Sequence, residues 1–200
     1  QIAMKKPKSL TGIDLTDRAI ENTKIRFQTL GLDSCLQVDN AENLSLESGS
    51  FDAIYCWGVL HHSPNTQKCF EEIHRVLRVN GFAKIMIYHK NSPTGWMLWV
   101  TYALLKGRPF KSLSGIYATW LESPGTKAYT VNEAKQLTKL FRKSDIKVQL
   151  CFSDLLEGDV GARHKGYLLT VAKALYPRSL IKILAKIFPI GLYLMITVHK

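Results

Sequence analysis

The 200-residue sequence lacks a run of about 18 apolar residues, an N-terminal signal pattern and any CxxC pair of cysteines. The first two absences argue against a membrane-spanning or exported protein. The four cysteines are scattered, which argues against structural zinc and favours reduced thiols. Apolar residues make up 46% of the chain, enough for a globular core. The composition therefore predicts a single cytoplasmic domain over residues 1–200.

Acidic residues are scarce in the second half of the chain, where the net charge of +11 is concentrated. Residues 1–89 are neutral, residues 90–143 carry +7 and residues 144–200 carry +4. The basic stretch also contains the aromatic residues Trp96, Trp99, Tyr102, Tyr117, Trp120 and Tyr129. Such a surface attracts an anionic or lipid-like molecule, an acidic membrane surface or RNA. A solvated face over a local core explains the charge equally well, so the partner stays open.

Short runs of strand-forming residues alternate with helical patterns along most of the sequence. The predicted strands are residues 9–15, 34–38, 51–57, 82–89, 146–152 and 192–198. Two predicted helices begin after the N-caps Thr16 and Thr130. Three more are predicted over residues 65–79, 96–105 and 179–188. Inward positions are predicted at Ile20, Thr23, Phe27 and Leu30, and at Val131, Ala134, Leu137, Leu140 and Phe141 of a helix reaching about Lys143.

This alternation predicts an α/β fold with a doubly wound, mostly parallel, Rossmann-like sheet. The alternation of strand and helix patterns is interrupted over residues 90–129, after the strand at 82–89. We interpret this aromatic and basic stretch as an insertion that serves as a lid or a substrate-binding segment.

The most informative segment runs from Phe51 to His89 and contains a corner at residues 56–62 between a strand and a helix. The helix has one apolar face, formed by Cys69, Phe70, Ile73, Val76 and Leu77. Asn80 and Gly81 are expected to end it in the left-handed conformation. Because parallel α/β sheets bind ligands at the carboxyl ends of their strands, the corner is the candidate active site.

Four motifs stand in a fixed order: GIDLT at residues 12–16, VDNAENL at 38–44, the strand and corner at 51–62, and RVLRVNG at 75–81. In order and spacing they resemble the class I S-adenosylmethionine-dependent methyltransferases, in the small-molecule branch near the ubiquinone-biosynthesis type. The resemblance covers residues 9–89 and, less closely, residues 130–152.

The resemblance implies S-adenosylmethionine as cofactor and names the residues that hold it. Asp14 matches the acidic residue that binds both ribose hydroxyls, a task that suits a carboxylate because it accepts two hydrogen bonds at once. Asp39 matches the residue that accepts from the exocyclic amine of adenine. The other cofactor-binding positions that it implies are Leu15, Asn40, Ala41, Cys56, Trp57 and Gly58.

The reaction that the resemblance implies is an in-line SN2 methyl transfer, in which alignment within a dry pocket carries most of the catalysis. His61 and His62 are the candidate catalytic residues, since a histidine there can act as general base. Local packing or capping is the alternative role for one of them. No metal is expected, because adjacent histidines do not easily converge on one ion and no carboxylate or cysteine stands at ligand spacing.

One part of the family pattern has no counterpart here, namely the Gly-rich loop after the family's first strand. The sequence contains no GxGxG, and residues 158–161 (Gly-Asp-Val-Gly) come too late and follow no good strand. We therefore expect a sequence truncated at its N-terminus, whose sheet lacks its first strand. Such a fragment is expected to bind the cofactor poorly, to be unstable and to be inactive alone.

A small or lipid-like acceptor is the favoured substrate, and three other functions stay open. An RNA or tRNA methyltransferase would use the basic surface, although the fourth strand lacks the Asn/Asp-Pro-Pro-aromatic signature of base-amine enzymes. A non-catalytic binding domain can have the same fold. Asp14 alone also fits a nicotinamide-dependent dehydrogenase. The basic helix at residues 179–188 either packs on the sheet or touches a membrane peripherally; the oligomeric state is not indicated.

Overall fold

The computed structural model describes residues 2–157 and 176–200. Its strands are β1 (Thr11–Asp14), β2 (Cys35–Val38), β3 (Phe51–Trp57), β4 (Leu77–Tyr88), β5 (Lys143–Gln149) and β6 (Tyr193–His199). Its helices are α1 (Asp17–Thr29), α2 (Thr66–Val76), α3 (Pro93–Tyr102), α4 (Leu113–Ile116) with a π-helical turn at Tyr117–Leu121, α5 (Val131–Leu137) and α6 (Arg178–Ile187). The Gly-Asp-Val-Gly segment at 158–161 lies outside the described residues.

The strands form two sheets. β1 and β2 pair in parallel, while the second sheet has the strand order β3-β4-β6-β5. Within it β3 is parallel to β4, and β6 runs antiparallel to both β4 and β5. The predicted α/β, Rossmann-like fold is confirmed, with a mixed second sheet because β6 runs antiparallel to its two neighbours.

The helix α2 packs its apolar face on the four-stranded sheet, as its sequence pattern predicts. All five residues predicted for that face are at most 5% exposed, although Leu77 is the first residue of β4 and not part of α2. Most of them join one core cluster with Ile85 and Ile87 of β4 and Leu194 and Ile196 of β6. The side chain of Asn65 caps the helix by accepting a hydrogen bond from the Lys68 N–H. This core holds the corner between β3 and α2 in place.

Two helices begin at the predicted caps. The Thr16 hydroxyl accepts from the Ala19 N–H at the start of α1. Thr130 and Glu133 form a capping box at the start of α5, each side chain accepting from the other residue's backbone N–H.

The end of α2 differs from the prediction. The helix stops at Val76, and Asn80 and Gly81 lie inside β4. Asn80 does adopt a left-handed φ of 66°, but it does so beside a bulge, where the register between β3 and β4 shifts after Phe51. The left-handed residue therefore bends a strand instead of ending a helix.

The predictions of inward positions near two helix ends were wrong. Leu30 follows the last turn of α1 and is 60% exposed, because α1 has only the short β1–β2 sheet to pack on. The helix α5 ends at Leu137, about six residues earlier than predicted, since the chain turns there toward β5. Leu140 consequently points outward and is 49% exposed.

A buried carboxylate joins the insertion at residues 90–129 to the sheet. Asp154 is fully buried; its Oδ1 accepts from the Thr94 N–H (3.1 Å) and the Thr94 hydroxyl (2.7 Å) at the start of α3. Its Oδ2 accepts from the N–H groups of Cys151 (3.0 Å) and Leu192 (2.7 Å), which follow β5 and precede β6. The insertion is thereby fixed against the end of the sheet that carries Tyr88.

Within the described residues, none of the helices is long and apolar enough to span a bilayer. All four cysteines are free thiols.

Candidate functional site

The carboxyl ends of β1 and β2 bring two acidic residues together. Asp14 ends β1 and Asp39 directly follows β2, and the Asp39 N–H donates to the Asp14 carbonyl at 2.9 Å. The Asp14 Oδ1 accepts from the N–H and hydroxyl of Thr16. Its Oδ2 has no hydrogen-bond partner among the described residues, and the side chain is exposed. This oxygen is available to a ligand at the edge of the sheet.

Asp39 closes the loop that follows β2. Its Oδ1 accepts from the Asn40 N–H at 2.8 Å, and its Oδ2 accepts from the N–H and hydroxyl of Ser45, both at 3.0 Å. A contact with a base would have to share these oxygens. Ala41, another implied cofactor residue, packs against the main core. Leu15, which follows Asp14 in the sequence, is 69% exposed.

Glu42 connects this loop to the corner. Its carboxylate accepts from the Ser63 hydroxyl and from the Asn65 N–H, the latter at 2.7 Å. The same hydrogen bonds hold the pKa of Glu42 below its ordinary value, with the Ser63 hydroxyl contributing most. Glu42 thus links the loop after β2 to the corner after β3 by direct hydrogen bonds.

The residues that end β3 have different surroundings. Cys56 packs against the core, and burial, with a smaller contribution from Cys69, raises the pKa of its thiol to about 12. Trp57 is 41% exposed and meets the ring of Tyr193 edge-on at 5.5 Å. Gly58 has a φ of 73°, which favours glycine, as the chain leaves the strand. Within the described residues, no hydrogen bond joins these three residues to Asp14.

His61 is fully buried between two rings. Its centroid lies 4.1 Å from that of Tyr88 and 4.2 Å from that of His62. Neither ring nitrogen has a hydrogen-bond partner within the described part of the chain. Burial, with a smaller effect from His62, lowers the pKa of His61 to about 3. Such an imidazole is a weak base at neutral pH, so the geometry argues against His61 as the general base.

His62 is the accessible histidine, and polar groups surround it. Its Nε2 lies 3.2 Å from Glu122 Oε2, and its Nδ1 lies 3.0 Å from the Ser123 hydroxyl and 3.3 Å from the Thr126 hydroxyl. The Tyr88 hydroxyl donates to the same Glu122 oxygen at 2.9 Å. We call Tyr88, His61, His62 and Glu122 the His–Glu cluster. It can bind and exchange protons with a polar group of a ligand.

The segment from Glu122 to Lys127 lies against the corner. The Lys127 N–H donates to the His61 carbonyl at 3.0 Å, and the Lys127 ammonium donates to the carbonyls of Ser63 and Pro64. Sequence reasoning did not single out Glu122, Ser123 or Thr126, because they follow His62 by about 60 residues in an irregular stretch. Glu42, by contrast, stands inside the VDNAENL motif, and its pairing with Ser63 required the folded chain.

Residues 1–85 match the family model of a methyltransferase domain. The comparison with curated proteins finds no match. A solved S-adenosylmethionine-dependent methyltransferase from Thermotoga maritima, described as a possible histamine N-methyltransferase, is 16% identical, with a TM-score of 0.59 over 94% of this chain and 72% of its own. One from Methanosarcina mazei is 17% identical, with a TM-score of 0.58 over 96% of this chain and 82% of its own.

A geranyl diphosphate methyltransferase solved in complex with S-adenosylmethionine is 15% identical, with a TM-score of 0.58 over 99% of this chain and 71% of its own. At these identities the solved structures establish the fold, while the family model places residues 1–85 in a methyltransferase domain. The chain thus matches a methyltransferase domain over residues 1–85 and shares its fold with solved S-adenosylmethionine-dependent methyltransferases.

Proposed function

We propose that this protein transfers a methyl group from S-adenosylmethionine to a small or lipid-like acceptor at the edge formed by β1, β2 and the corner. The observation that carries the proposal is the pair Asp14–Asp39 at the ends of two parallel strands, connected to the corner through Glu42. Ligands of open α/β sheets bind at this edge.

The residues present fit the ribose and adenine part of the cofactor. Asp14 offers a carboxylate oxygen that is not engaged by the described residues, and a carboxylate suits a pair of hydroxyl donors. Leu15 and Ala41 supply apolar surface beside it, and Asn40 and Asp39 supply polar groups for the base. When bound, the cofactor supplies an activated methyl group on a sulfonium; the chain contributes position and exclusion of water.

On the acceptor side, His62 is the group placed to take a proton from an acceptor hydroxyl or amine. Its side chain is 28% exposed, and Glu122 stabilises the imidazolium that forms. Burial and the hydrogen bond to Glu122 raise the pKa of Tyr88, so its hydroxyl stays protonated and donates. The segment 90–129 covers this side, since Glu122–Lys127 contact the corner, and we propose that it forms the lid of the acceptor pocket.

The experiment that tests this function is cofactor turnover with a library of hydroxyl- and amine-bearing small molecules and prenyl lipids, with S-adenosylhomocysteine as the measured product. In a version of the protein that includes the family's Gly-rich loop, we expect turnover that falls at least tenfold in H62Q, because the base is lost. A protein that methylates RNA instead, with steeply salt-dependent RNA binding, would contradict the choice of a small acceptor.

We also propose that α6 docks on an anionic membrane surface. Its Ile181, Leu184 and Ala185 are half-buried, while Leu180, Ile183 and Ile187 form an exposed apolar strip. Lys182 and Lys186 lie beside that strip. An apolar strip bordered by basic side chains is typical of a helix that lies in the membrane interface, where anionic lipids attract the cations.

Co-sedimentation with vesicles tests this docking. We expect binding to vesicles that contain phosphatidylglycerol, little binding to pure phosphatidylcholine, and a loss of at least tenfold in the double variant I183S/I187S. The matched control is V79S, which removes an 80% exposed apolar side chain from β4. Equal loss in V79S, or no preference for the anionic lipid, would rule the docking surface out.

A further inference from the structure

The His–Glu cluster assembles three groups that are ligands of transition metals. One nitrogen from His61, one from His62 and one carboxylate oxygen of Glu122 all lie within 4.8 Å of one another. Two imidazoles and one carboxylate form the ligand set of many catalytic zinc sites, which leave a fourth position open. The sequence does not show this grouping, because Glu122 belongs to the insertion at residues 90–129 and is far from both histidines along the chain.

Two of the three ligand atoms already stand at the separation that one ion requires. With metal–ligand bonds of 2.0–2.1 Å, two ligands of a tetrahedral ion are about 3.3 Å apart. His62 Nε2 and Glu122 Oε2 are 3.2 Å apart. An ion can therefore replace the direct contact between these two side chains with little movement of either.

Their other atoms have the outer partners that metal ligands usually have. His62 Nδ1 is within hydrogen-bond distance of the Ser123 and Thr126 hydroxyls, so it can donate while Nε2 keeps its lone pair for the ion. The Tyr88 hydroxyl donates to Glu122. Such outer hydrogen bonds orient the ligands and strengthen metal binding.

His61 provides an independent observation. A buried polar atom without a partner costs about 1–3 kcal/mol, yet both nitrogens of this fully buried imidazole lack a partner among the described residues. An ion held between His61, His62 and Glu122 gives one of these nitrogens its partner. Neither the ring packing around His61 nor the His62–Glu122 contact gives a His61 nitrogen a partner.

From these observations we propose that the cluster is a binding site for a divalent transition-metal ion, with Zn²⁺ as the best match, through His61, His62 and Glu122. The site goes beyond methyl transfer, since it requires neither cofactor nor acceptor. The fourth position would take water or an acceptor oxygen. That last role rests on the proposed function, and with the ion bound the proton-accepting group is an oxygen on the metal instead of His62.

The test is calorimetric titration of Zn²⁺ into the chelator-treated protein without cofactor, together with the visible absorption of its Co²⁺ form. We expect one equivalent of metal, a four- or five-coordinate Co²⁺ spectrum without a thiolate charge-transfer band, and a higher melting temperature with Zn²⁺. Affinity should fall by about 100-fold or more in H61F and in E122Q, and by about tenfold in Y88F, which alters only an outer hydrogen bond.

The matched controls are H199Q, a histidine at the end of β6, and C35S, which removes the exposed thiol most able to bind Zn²⁺ adventitiously. Both should bind like the wild type. H61F replaces a buried ring by an apolar ring of similar size, and its circular dichroism should confirm folding. Unchanged affinity in a folded H61F, loss of binding in C35S, or no stoichiometric binding by the wild type would overturn the proposal, whatever the methyltransferase assay shows.

Discussion

The insertion depends on Asp154, and its replacement should strongly destabilise the protein. Asp154 is fully buried and accepts four hydrogen bonds, three of them from backbone N–H groups. In D154A these three donors lose their acceptor, and each buried unsatisfied group costs about 1–3 kcal/mol. Partial relaxation and entry of water reduce the sum, so we expect a loss of about 3–5 kcal/mol in the free energy of unfolding.

In D154N the side chain keeps its shape, and its amide oxygen can still accept hydrogen bonds from the donors on one side of the former carboxylate. Its NH₂ group then faces donors on the other side, so the expected loss is smaller, about 2 kcal/mol.

The assay is urea unfolding followed by tryptophan fluorescence and circular dichroism. The matched control is D145N, an exposed aspartate in β5. We expect the order D154A, D154N, D145N, from most to least destabilised. A loss below about 1 kcal/mol in D154A, or an effect as large in D145N, would refute the reasoning that this carboxylate anchors the insertion.

Three further predictions concern the buried groups His61 and Cys56 and the loop after β2. With chelator present, H61F should unfold at a free energy about 1–3 kcal/mol higher than wild type, because two unpartnered buried nitrogens are removed; a less stable H61F would contradict this. At pH 8 in the native state, iodoacetamide should label the exposed Cys35 but leave Cys56 unmodified. The pKa of the Cys56 thiol is about 12 instead of the ordinary 9.0, which makes its thiolate about 1000-fold rarer. Mass spectrometry detects the labelled cysteines, and rapid labelling of Cys56 would refute the prediction. R75A should speed proteolysis of residues 44–48, whose carbonyls at 44 and 46 accept from its guanidinium, while R78A leaves it unchanged.

Much of the fold could be predicted because local pattern and tertiary packing agree. The buried apolar positions Cys69, Phe70, Ile73 and Val76 of α2 follow from helical periodicity alone. Thr16 and Thr130 cap helices for a local reason, because their hydroxyls accept hydrogen bonds from backbone N–H groups. The role of Asn80 could not be predicted in this way. Its left-handed conformation is a local property, but whether it ends a helix or bends a strand depends on the pairing of β4 with β3.

The candidate site, like the fold, could be predicted from the sequence only in part. Asp14 and Asp39 could be placed together from the sequence because parallel neighbours end at one edge. Glu122 could not be placed, since only the folded insertion brings it to His62. The two histidines could not be ranked either, because the sequence does not reveal that His61 is fully buried and His62 only half-buried.

The central claim is that the Asp14 edge holds S-adenosylmethionine. Its most direct test is ligand-observed saturation-transfer NMR, which detects even weak binding, with wild type, D14N and the control D17N in the first turn of α1. We expect saturable transfer to the ribose protons in wild type and D17N. In D14N affinity should fall by about 10- to 100-fold, as expected for hydrogen bonds to a charged acceptor. No transfer in wild type, or equal transfer in D14N, would contradict the account.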